Sequence, residues 1–435
     1  MTSTTLAVRG SVGSLDARAH RVLFTRSTSS DDTVRERTTR MVARVRAEGD
    51  AALLAFALEF DGVSLATLEV PRSAWRSALA TLDPAVRRAL ERAAANIRVV
   101  HEAFRPAACE VTTPDGVVIG RRPDPLGRVG VYAPGGRAAY PSSLLMGVVP
   151  ARVAGVGEVV VCSPPMADGM PSAVLMAAAE LAGVDRLFSV GGAGAVAAMA
   201  YGTATIPSVD RIVGPGNAYV AEAKVQVSSI TAIDAPAGPS ELLVIADDPA
   251  SADVIARELL AQAEHDPMAA VVLVSTSDAL LDAVERRLED WAPREPRAGI
   301  IAAALASRGA LLRADTLEDA VRFANQWAPE HLLLCTRAAD VLLPLVRNAG
   351  TVFVGETASV AFGDYMSGAN HVLPTGGLSR AYSGLSTVDF YRWTTWQRID
   401  RASAARLAHD VGRLADAERL PAHAASARQW MEDAP

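Results

Sequence analysis

Three short windows of the chain hold most of the side chains that could carry acid–base or metal chemistry. They are residues 262–265 (QAEH), 328–331 (APEH) and 363–371 (GDYMSGANH). Each window places an imidazole near a carboxylate or an amide, beside proline or glycine, the residues that interrupt regular structure. The third window is too rich in glycine for a helix, and Gly363 and Gly368 are predicted to build a site rather than a core. Together the windows predict an enzyme.

The first window has the spacing of two metal ligands on one helix. A helix capped by Ser251 and stopped by Asp266 and Pro267 is predicted to end here. Gln262 and His265 are three positions apart and would share one face of that helix, as two ligands of one metal must. The pattern alone is a weak signal, because glutamine is an uncommon zinc ligand. A histidine that caps the carboxyl end of a helix is the ordinary alternative.

The second window pairs Glu330 with His331 on a predicted turn that enters an apolar segment. An unperturbed histidine titrates at about pH 6.5, which makes it the natural proton shuttle near neutral pH. A local helix cap with a histidine at the surface is the alternative interpretation. By contrast, His20, His101 and His409 lie in polar or helical surroundings and are predicted to be exposed.

Repeated strand–turn–helix units must position these windows. Strand patterns recur at 128–136, 158–165, 186–192, 211–217, 241–246, 270–275, 310–312 and 351–354. Such units predict parallel sheets, with ligands bound at the carboxyl ends of the strands. The predicted fold is therefore α/β, with two doubly wound, incomplete Rossmann-like domains, a helical N-terminal segment and a helical C-terminal tail.

The strand patterns also suggest where the domains begin and end. The predicted parts are an N-terminal segment (1–30), a discontinuous first α/β domain (31–131 plus 242–385), a second α/β domain (132–241) and a tail (386–435). The tail shows no strand pattern and is predicted to grip a partner subunit. Ser240 lies at the junction of the two domains, where sites tend to form.

The totals exclude several classes of protein. The 435 residues carry a net charge of −7, which argues against a nucleic-acid surface. No apolar run reaches the roughly 18 residues of a membrane span. Cys109, Cys162 and Cys335 have neither metal nor redox spacing, and free thiols suit a reducing cytoplasm, the predicted location. The glycine turns near residues 134, 191 and 214 lack the G-x-G-x-x-G fingerprint, so the nucleotide signal from spacing is weak.

Six motifs in this order give the chain a close resemblance to one family. They are VYAPGG (131–136), VGPGN (213–217), AGPS (237–240), QAEH (262–265), APEH (328–331) and the segment 363–371. From about residue 20 to the C-terminus the chain resembles histidinol dehydrogenases. The resemblance implies a zinc-dependent homodimer that oxidises L-histidinol through L-histidinaldehyde to L-histidine. It uses two NAD⁺ in succession, in the last two steps of histidine biosynthesis.

The resemblance also implies roles for individual residues. The implied zinc ligands are Gln262, His265, Asp364 and His423, the last from the tail of the neighbouring subunit. His331 would be the general base, and Glu330 would activate water at the aldehyde stage. The implied substrate contacts are Ser240, Gln262, His265, His331, Asp364, Glu418 and His423. Tyr132 and Asn217 would contact NAD⁺, as would position 194, where the family usually has glutamine and this chain has Gly194.

The change at Gly194 leaves rival interpretations open. A lost hydrogen bond of ~0.5–1.5 kcal/mol would weaken NAD⁺ binding by about threefold to tenfold. A paralogue that oxidises another small alcohol, such as a hydroxylated sulfonate, with the same zinc and NAD⁺ is the first rival. A non-catalytic α/β binding protein would need no metal. A metallohydrolase is disfavoured, because the chain lacks a His-Glu-x-x-His helix.

Overall fold

The computed structural model describes residues 5–26, 31–135 and 139–431. Its strands form a six-stranded parallel sheet, a five-stranded parallel sheet and a small antiparallel sheet. The strands are β1 (Val8–Ser11), β2 (Cys109–Thr112), β3 (Val118–Pro125), β4 (Arg128–Tyr132), β5 (Glu158–Ser163), β6 (Arg186–Ser189), β7 (Arg211–Val213), β8 (Ala232–Ile233), β9 (Glu241–Ala246), β10 (Ala270–Ser275), β11 (Gly309–Arg313), β12 (His331–Cys335), β13 (Thr351–Val354) and β14 (Tyr391–Arg398). The predicted α/β class with parallel sheets is confirmed.

Helices cover both faces of the two parallel sheets. They are α1 (Ala17–Phe24), α2 (Asp32–Glu48), α3 (Asp50–Phe60), α4 (Arg72–Thr81), α5 (Pro84–Ala103), α6 (Pro141–Ala154), α7 (Ala173–Ala182), α8 (Gly192–Tyr201), α9 (Ala218–Val227), α10 (Ala252–Ala263), α11 (Asp278–Trp291), α12 (Ala298–Arg308), α13 (Leu317–Trp327), α14 (Ala339–Leu342), α15 (Val360–Tyr365), α16 (Arg401–Ala417) and α17 (Pro421–Arg428). The predicted cap of α10 is confirmed, since the hydroxyl of Ser251 accepts from the N–H of Val254.

The six-stranded sheet has the order β1-β11-β10-β9-β12-β13. Its central strands are buried on both faces, as continuous runs of apolar residues predict for a parallel sheet. Leu242 and Val244 of β9 pack with α10, α11 and α12. Leu243 and Ile245 point the other way and pack with α1 and α13. The alternation along β9 thus supplies both hydrophobic cores of this sheet.

The five-stranded sheet has the order β6-β5-β4-β7-β8. Val159 and Val161 of β5 face α4 to α7, whereas Val160 and Cys162 face α2, α3, α8 and α9. The chain passes from β8 of this sheet to β9 of the other through residues 234–240. That linker carries Ser240, the residue predicted to lie at a domain junction.

The sheets divide the chain differently from the predicted boundaries. Strand β1, from the predicted N-terminal segment, pairs with β11 of the six-stranded sheet. Helices α2 to α5, which were predicted to belong to the domain with 242–385, pack on the five-stranded sheet instead. The predicted boundary at 131/132 falls inside β4. Helix periodicity shows that a helix has an apolar face but not which of two similar sheets it covers.

The C-terminal tail also contains a strand that the sequence did not predict. Strand β14 pairs antiparallel with β3, in the order β14-β3-β2. Its residues are mostly polar or half-buried, so they lack the apolar alternation that marks a core strand. Helices α16 and α17 follow and pack on each other. In the described part of the chain, no helix is long and apolar enough to cross a bilayer.

Candidate active site

A cavity of about 760 Å³ lies between the two parallel sheets. The carboxyl ends of β4 and β7 form one wall, as predicted, but the opposite wall is formed by the amino ends of β9 and β12. Only the five-stranded sheet therefore presents the carboxyl ends of its strands to this cavity. Among the predicted site residues, the cavity is lined by Tyr132, Asn217, Ser240, Gln262, His265, Glu330, His331 and Asp364.

Glu330 and His331 are held by the main chain of Glu241 on the neighbouring strand. The predicted turn is present: Ala328 adopts a left-handed conformation (φ 54°) after α13, and β12 begins at His331. The N–H of Glu241 donates to Oε2 of Glu330 at 2.7 Å. Nδ1 of His331 donates to the carbonyl oxygen of Glu241 at 3.0 Å. Both catalytic candidates are buried, so the alternative of a surface histidine on a helix cap is wrong.

The other ring nitrogen of His331 points toward Asp364. Nε2 is buried and has no hydrogen-bond partner among the described residues, and it lies 3.7 Å from Oδ1 of Asp364. Burial lowers the pKa of His331, but the carboxylates of Glu330 and Asp364 outweigh it and raise the pKa to about 9. With Nδ1 committed to a carbonyl, Nε2 is the atom that can exchange a proton with a ligand.

Asp364, Gln262 and His265 reach the cavity from helix ends. Gln262 lies in the last turn of α10 and His265 just after it. Asp364 belongs to α15, so the expectation that its window is too rich in glycine for a helix is wrong. Gly363 is buried there, and a Cβ at this position would lie 2.6 Å from Cε1 of Phe353. This glycine lets α15 pack directly on β13, a core role that brings Asp364 to the cavity.

His371 is a site residue to which the sequence assigned no role. Its Nδ1 donates to the carbonyl oxygen of Asp364 at 2.7 Å, and its Nε2 accepts from the hydroxyl of Ser143 at 3.1 Å. Burial lowers the pKa of His371, which favours the neutral ring that these two hydrogen bonds describe. The ring thus ties α15 to α6 of the other sheet. Its position at the end of the third window is the sequence signal that could have identified it as a site residue.

Tyr132 and Asn217 stand where the main cavity meets a second one of about 710 Å³. The hydroxyl of Tyr132 accepts from the N–H of Gly192 at 3.1 Å, and burial raises the pKa of Tyr132 to about 12. Oδ1 of Asn217 caps α9. The second cavity is also lined by Arg37, Arg40, Arg44, Asp61, Gly191 and Gly192, and Gly136 of the first glycine turn lies outside the described residues.

A buried lysine holds the turn that leads to Asn217. Lys224 is the sole lysine of the sequence. Its ammonium pairs with the buried carboxylate of Asp234 and donates to the carbonyl oxygens of Gly214 at 3.0 Å and Ala235 at 3.4 Å. Gly214 has φ 117°, and a Cβ there would lie 2.1 Å from the carbonyl oxygen of Tyr132, so only glycine fits.

Gly194 does not line either cavity. It lies buried in α8, beneath α3. A Cβ at this position would lie 3.1 Å from Cδ2 of Phe56 and 3.2 Å from Cδ2 of Leu53. A longer side chain could reach the second cavity only if these two residues moved.

Glu418 and His423 do not line the cavity of their own chain. Both are exposed, Glu418 after α16 and His423 in α17. Large apolar side chains are exposed beside them, among them Leu414 (68% exposed) and Leu420 (41%). Within residues 5–26, 31–135 and 139–431 of one chain, no three His, Cys, Asp or Glu side chains converge as a metal site.

Comparison with known proteins identifies the family. The family model described as histidinol dehydrogenase matches residues 24–431. The chain is 48% identical to a histidinol dehydrogenase of Natronomonas pharaonis over 416 residues (95% of this chain, 97% of the relative). It is 44% identical to that of Methanosarcina barkeri over 407 residues (93% and 94%). The crystal structure of histidinol dehydrogenase from Elizabethkingia anophelis superposes with a TM-score of 0.92 at 31% identity, covering 99% of this chain and 98% of that one. The chain therefore belongs to the histidinol dehydrogenase family of oxidoreductases.

Proposed function

We propose that this enzyme oxidises L-histidinol to L-histidine through L-histidinaldehyde, with reduction of two NAD⁺, and that it requires zinc and a second subunit. The observation that carries the proposal is the buried Nε2 of His331, which faces the cavity without a partner in the described part of the chain. In its neutral form, an imidazole in that position can take a proton from a bound alcohol.

In the first half-reaction, Nε2 of His331 accepts the hydroxyl proton while the carbinol carbon gives up a hydride to NAD⁺. The products are the aldehyde, NADH and a protonated His331. The hydrogen bond from Nδ1 to the carbonyl of Glu241 stabilises the imidazolium that forms, since this bond strengthens when the ring is charged. His331 must pass its proton to solvent before the second half-reaction.

In the second half-reaction, the aldehyde takes up water to form its hydrate. We assign to Glu330 the removal of the water proton and its return to the aldehyde oxygen, which completes the hydrate. The carboxylate of Glu330 lines the cavity and is oriented by the N–H of Glu241. His331 then accepts a hydroxyl proton of the hydrate as a second hydride passes to NAD⁺. The carboxylic acid product is L-histidine, and four electrons have been transferred in all.

Gln262, His265 and Asp364 would hold the zinc ion. The three residues line the same cavity, and their amide oxygen, imidazole nitrogen and carboxylate oxygen are a donor set that zinc accepts. The proximity of Asp364 to His331 is consistent with a cation here. A bound cation would offset the negative charge of Asp364, which now raises the pKa of His331, and would thus favour the neutral imidazole. Bound zinc would orient the substrate's imidazole and amine. His423 of a neighbouring subunit would supply the fourth ligand, with Glu418 beside it as a substrate contact.

Hydride transfer places the reacting end of NAD⁺ in the main cavity. We assign the second cavity to the rest of the dinucleotide. It joins the main cavity at Tyr132 and Asn217, so a dinucleotide could extend from one cavity into the other. The arginines of α2 would offset the charge of its phosphates. Three cysteines without a disulfide favour the predicted cytoplasmic location.

The test is to follow NADH by absorbance with L-histidinol and to quantify histidine at the end. Two NADH per histidine are expected, with activity lost on chelation and restored by zinc. A zinc-loaded, folded dimer that forms no NADH from histidinol but does so from a hydroxylated sulfonate would overturn the proposal and favour the paralogue.

A further inference from the structure

Arg26, at the end of the N-terminal segment, is buried beside the active site. It follows α1 and is only 3% exposed. Its Nη1 lies 2.5 Å from Oε2 of Glu241. Its guanidinium stacks over the ring of Trp327 at 3.7 Å and donates to the carbonyl oxygen of the same residue. A charge this deep must be tied to its partners, because an unpaired buried charge is strongly destabilising.

Glu241 links this arginine to both catalytic candidates. Its Oε2 forms an ion pair with the guanidinium of Arg26, and its Oε1 accepts from the N–H of Gly376 at 2.9 Å. Its main chain donates to Glu330 and accepts from His331. The carboxylates of Glu241 and Glu330 are therefore both buried and close enough to repel each other. Burial and the charge of Glu330 raise the pKa of Glu241 to about 7, and Arg26 is the group that opposes this.

We propose that Arg26 and Glu241 are positioning residues for the reaction, because they fix the first residue of β9 so that its main chain orients Glu330 and selects the Nε2-accepting form of His331. The inference rests on the proposed function. It requires arginine in particular, since a planar guanidinium can stack on Trp327 and bind a carboxylate at once, whereas a lysine ammonium cannot.

The test compares Arg26→Met and Arg26→Lys in the zinc-loaded dimer. Arg26→Met is expected to lower kcat by about 100-fold, the effect of a small misplacement of a catalytic group. The KM for histidinol and the zinc content should stay within about twofold of the wild type, because Arg26 touches none of the proposed ligands. Arg26→Lys should recover part of the loss. Arg9→Met is the matched control, since it removes an exposed ion pair with Asp282 in the same N-terminal segment.

A second variant separates positioning from stability. Arg26→Met combined with Glu241→Met removes both buried charges, so it should fold as well as the wild type. Its kcat should nevertheless stay low, because the side-chain anchor of Glu241 is gone. Full recovery of kcat in the double variant, or an unchanged kcat in Arg26→Met, would overturn the inference.

A measurement that does not depend on turnover separates the test of the positioning role from the test of the proposed function. Nitrogen NMR of the enzyme with labelled histidines reports the tautomer of His331, whose signals are identified by their loss in His331→Asn. The wild type should show Nδ1 protonated, and Arg26→Met a mixture of forms. Identical His331 signals in the two proteins would refute the positioning role even if histidinol proved not to be the substrate.

Discussion

Nδ1 of His331 donates to the main-chain carbonyl of Glu241 at 3.0 Å, and this hydrogen bond determines which ring nitrogen is free to react. A carbonyl oxygen can only accept, so Nδ1 must carry a proton, and in the neutral ring the lone pair is on Nε2. Nε2 is the nitrogen that faces Asp364 and the cavity. The proposed base is thus oriented by a main-chain group, and no substitution of the Glu241 side chain removes that hydrogen bond directly.

His331→Asn should therefore abolish turnover while leaving the site assembled. The asparagine amide can still donate to the carbonyl of Glu241, but it offers no base in the place of Nε2. We expect kcat to fall by about 10²- to 10⁴-fold, the usual contribution of general acid–base catalysis. Steady-state kinetics measure the loss, and metal analysis should give the wild-type zinc content. A variant that keeps more than a tenth of the wild-type kcat would contradict the role of His331.

His265→Ala should lose metal and activity together. Removing the imidazole leaves Gln262 and Asp364 as the remaining donors from that chain, too few to hold zinc tightly. Metal content per subunit is measured after gel filtration, beside the kcat of the same sample. His409→Ala is the control, since His409 is exposed and does not line the cavity. A fully active, metal-free His265→Ala enzyme would refute the zinc assignment.

Mixed dimers should reveal whether the tail acts in the neighbouring subunit. His331→Asn and His423→Ala should each be inactive as homodimers. If His423 serves the other subunit's site, a mixed dimer carries both lesions in one site and none in the other. An equal mixture of subunits should then regain about a quarter of the wild-type activity. No recovery in verified mixed dimers would place His423 in the site of its own chain or in none.

Gly194→Gln should cost stability rather than improve NAD⁺ binding. Even the first carbon of the new side chain would press on Phe56 and Leu53. Overpacking of this kind costs about 1–3 kcal/mol. Urea unfolding measures the cost, with Gly194→Ala as the smaller step, and calorimetry measures the Kd for NAD⁺. Tighter NAD⁺ binding with unchanged stability would mean that the family's glutamine can be accommodated beneath α3 after all.

His101 should make the fold sensitive to acid. The structure buries this residue, which was predicted to be exposed, and its Nδ1 donates to Thr387 at 3.1 Å. Burial lowers its pKa from 6.5 to about 4, so between these values the unfolded chain binds a proton that the folded chain refuses. Stability is therefore complete above about pH 6.5 and falls as the pH drops toward 4, by ~3 kcal/mol from this group.

Comparing the wild type with His101→Leu isolates this effect from other titrating groups. Urea unfolding at several pH values gives the free energy of unfolding for each protein. The difference between the two proteins should shrink on acidification, because only the wild type loses the contribution of His101. Parallel pH profiles for the two proteins would show that His101 titrates normally in the folded state.

The sequence predicted the parallel strands well because their apolar runs are unbroken. The predicted strands at 241–246, 270–275 and 351–354 match the observed bounds. β14 was missed because it is an edge strand in a small sheet, where only pairing with β3 reveals it. The helix α15 was missed because Gly363 lowers helix propensity, whereas packing on Phe353 more than offsets that cost.

For the site, the three windows brought Glu330, His331, Asp364 and the Gln262–His265 pair to one cavity, as their shared chemistry suggested. What the sequence could not supply were the partners that come from distant parts of the chain. The sequence around Arg26 does not indicate a role near the site, because that role depends on a carboxylate more than two hundred positions away. Such pairs are defined by the tertiary fold alone.

The pairing of β1 with β11 has a consequence for the order in which the protein forms during synthesis. Every strand of the five-stranded sheet precedes β9, so all strands of that sheet are made before most of the six-stranded sheet. Strand β1 emerges first of all, yet its partner comes from residues 309–313. Until then β1 is an unpaired strand edge, open to the wrong neighbours. The N-terminal segment is made first but can dock only after residues 309–313 have been made.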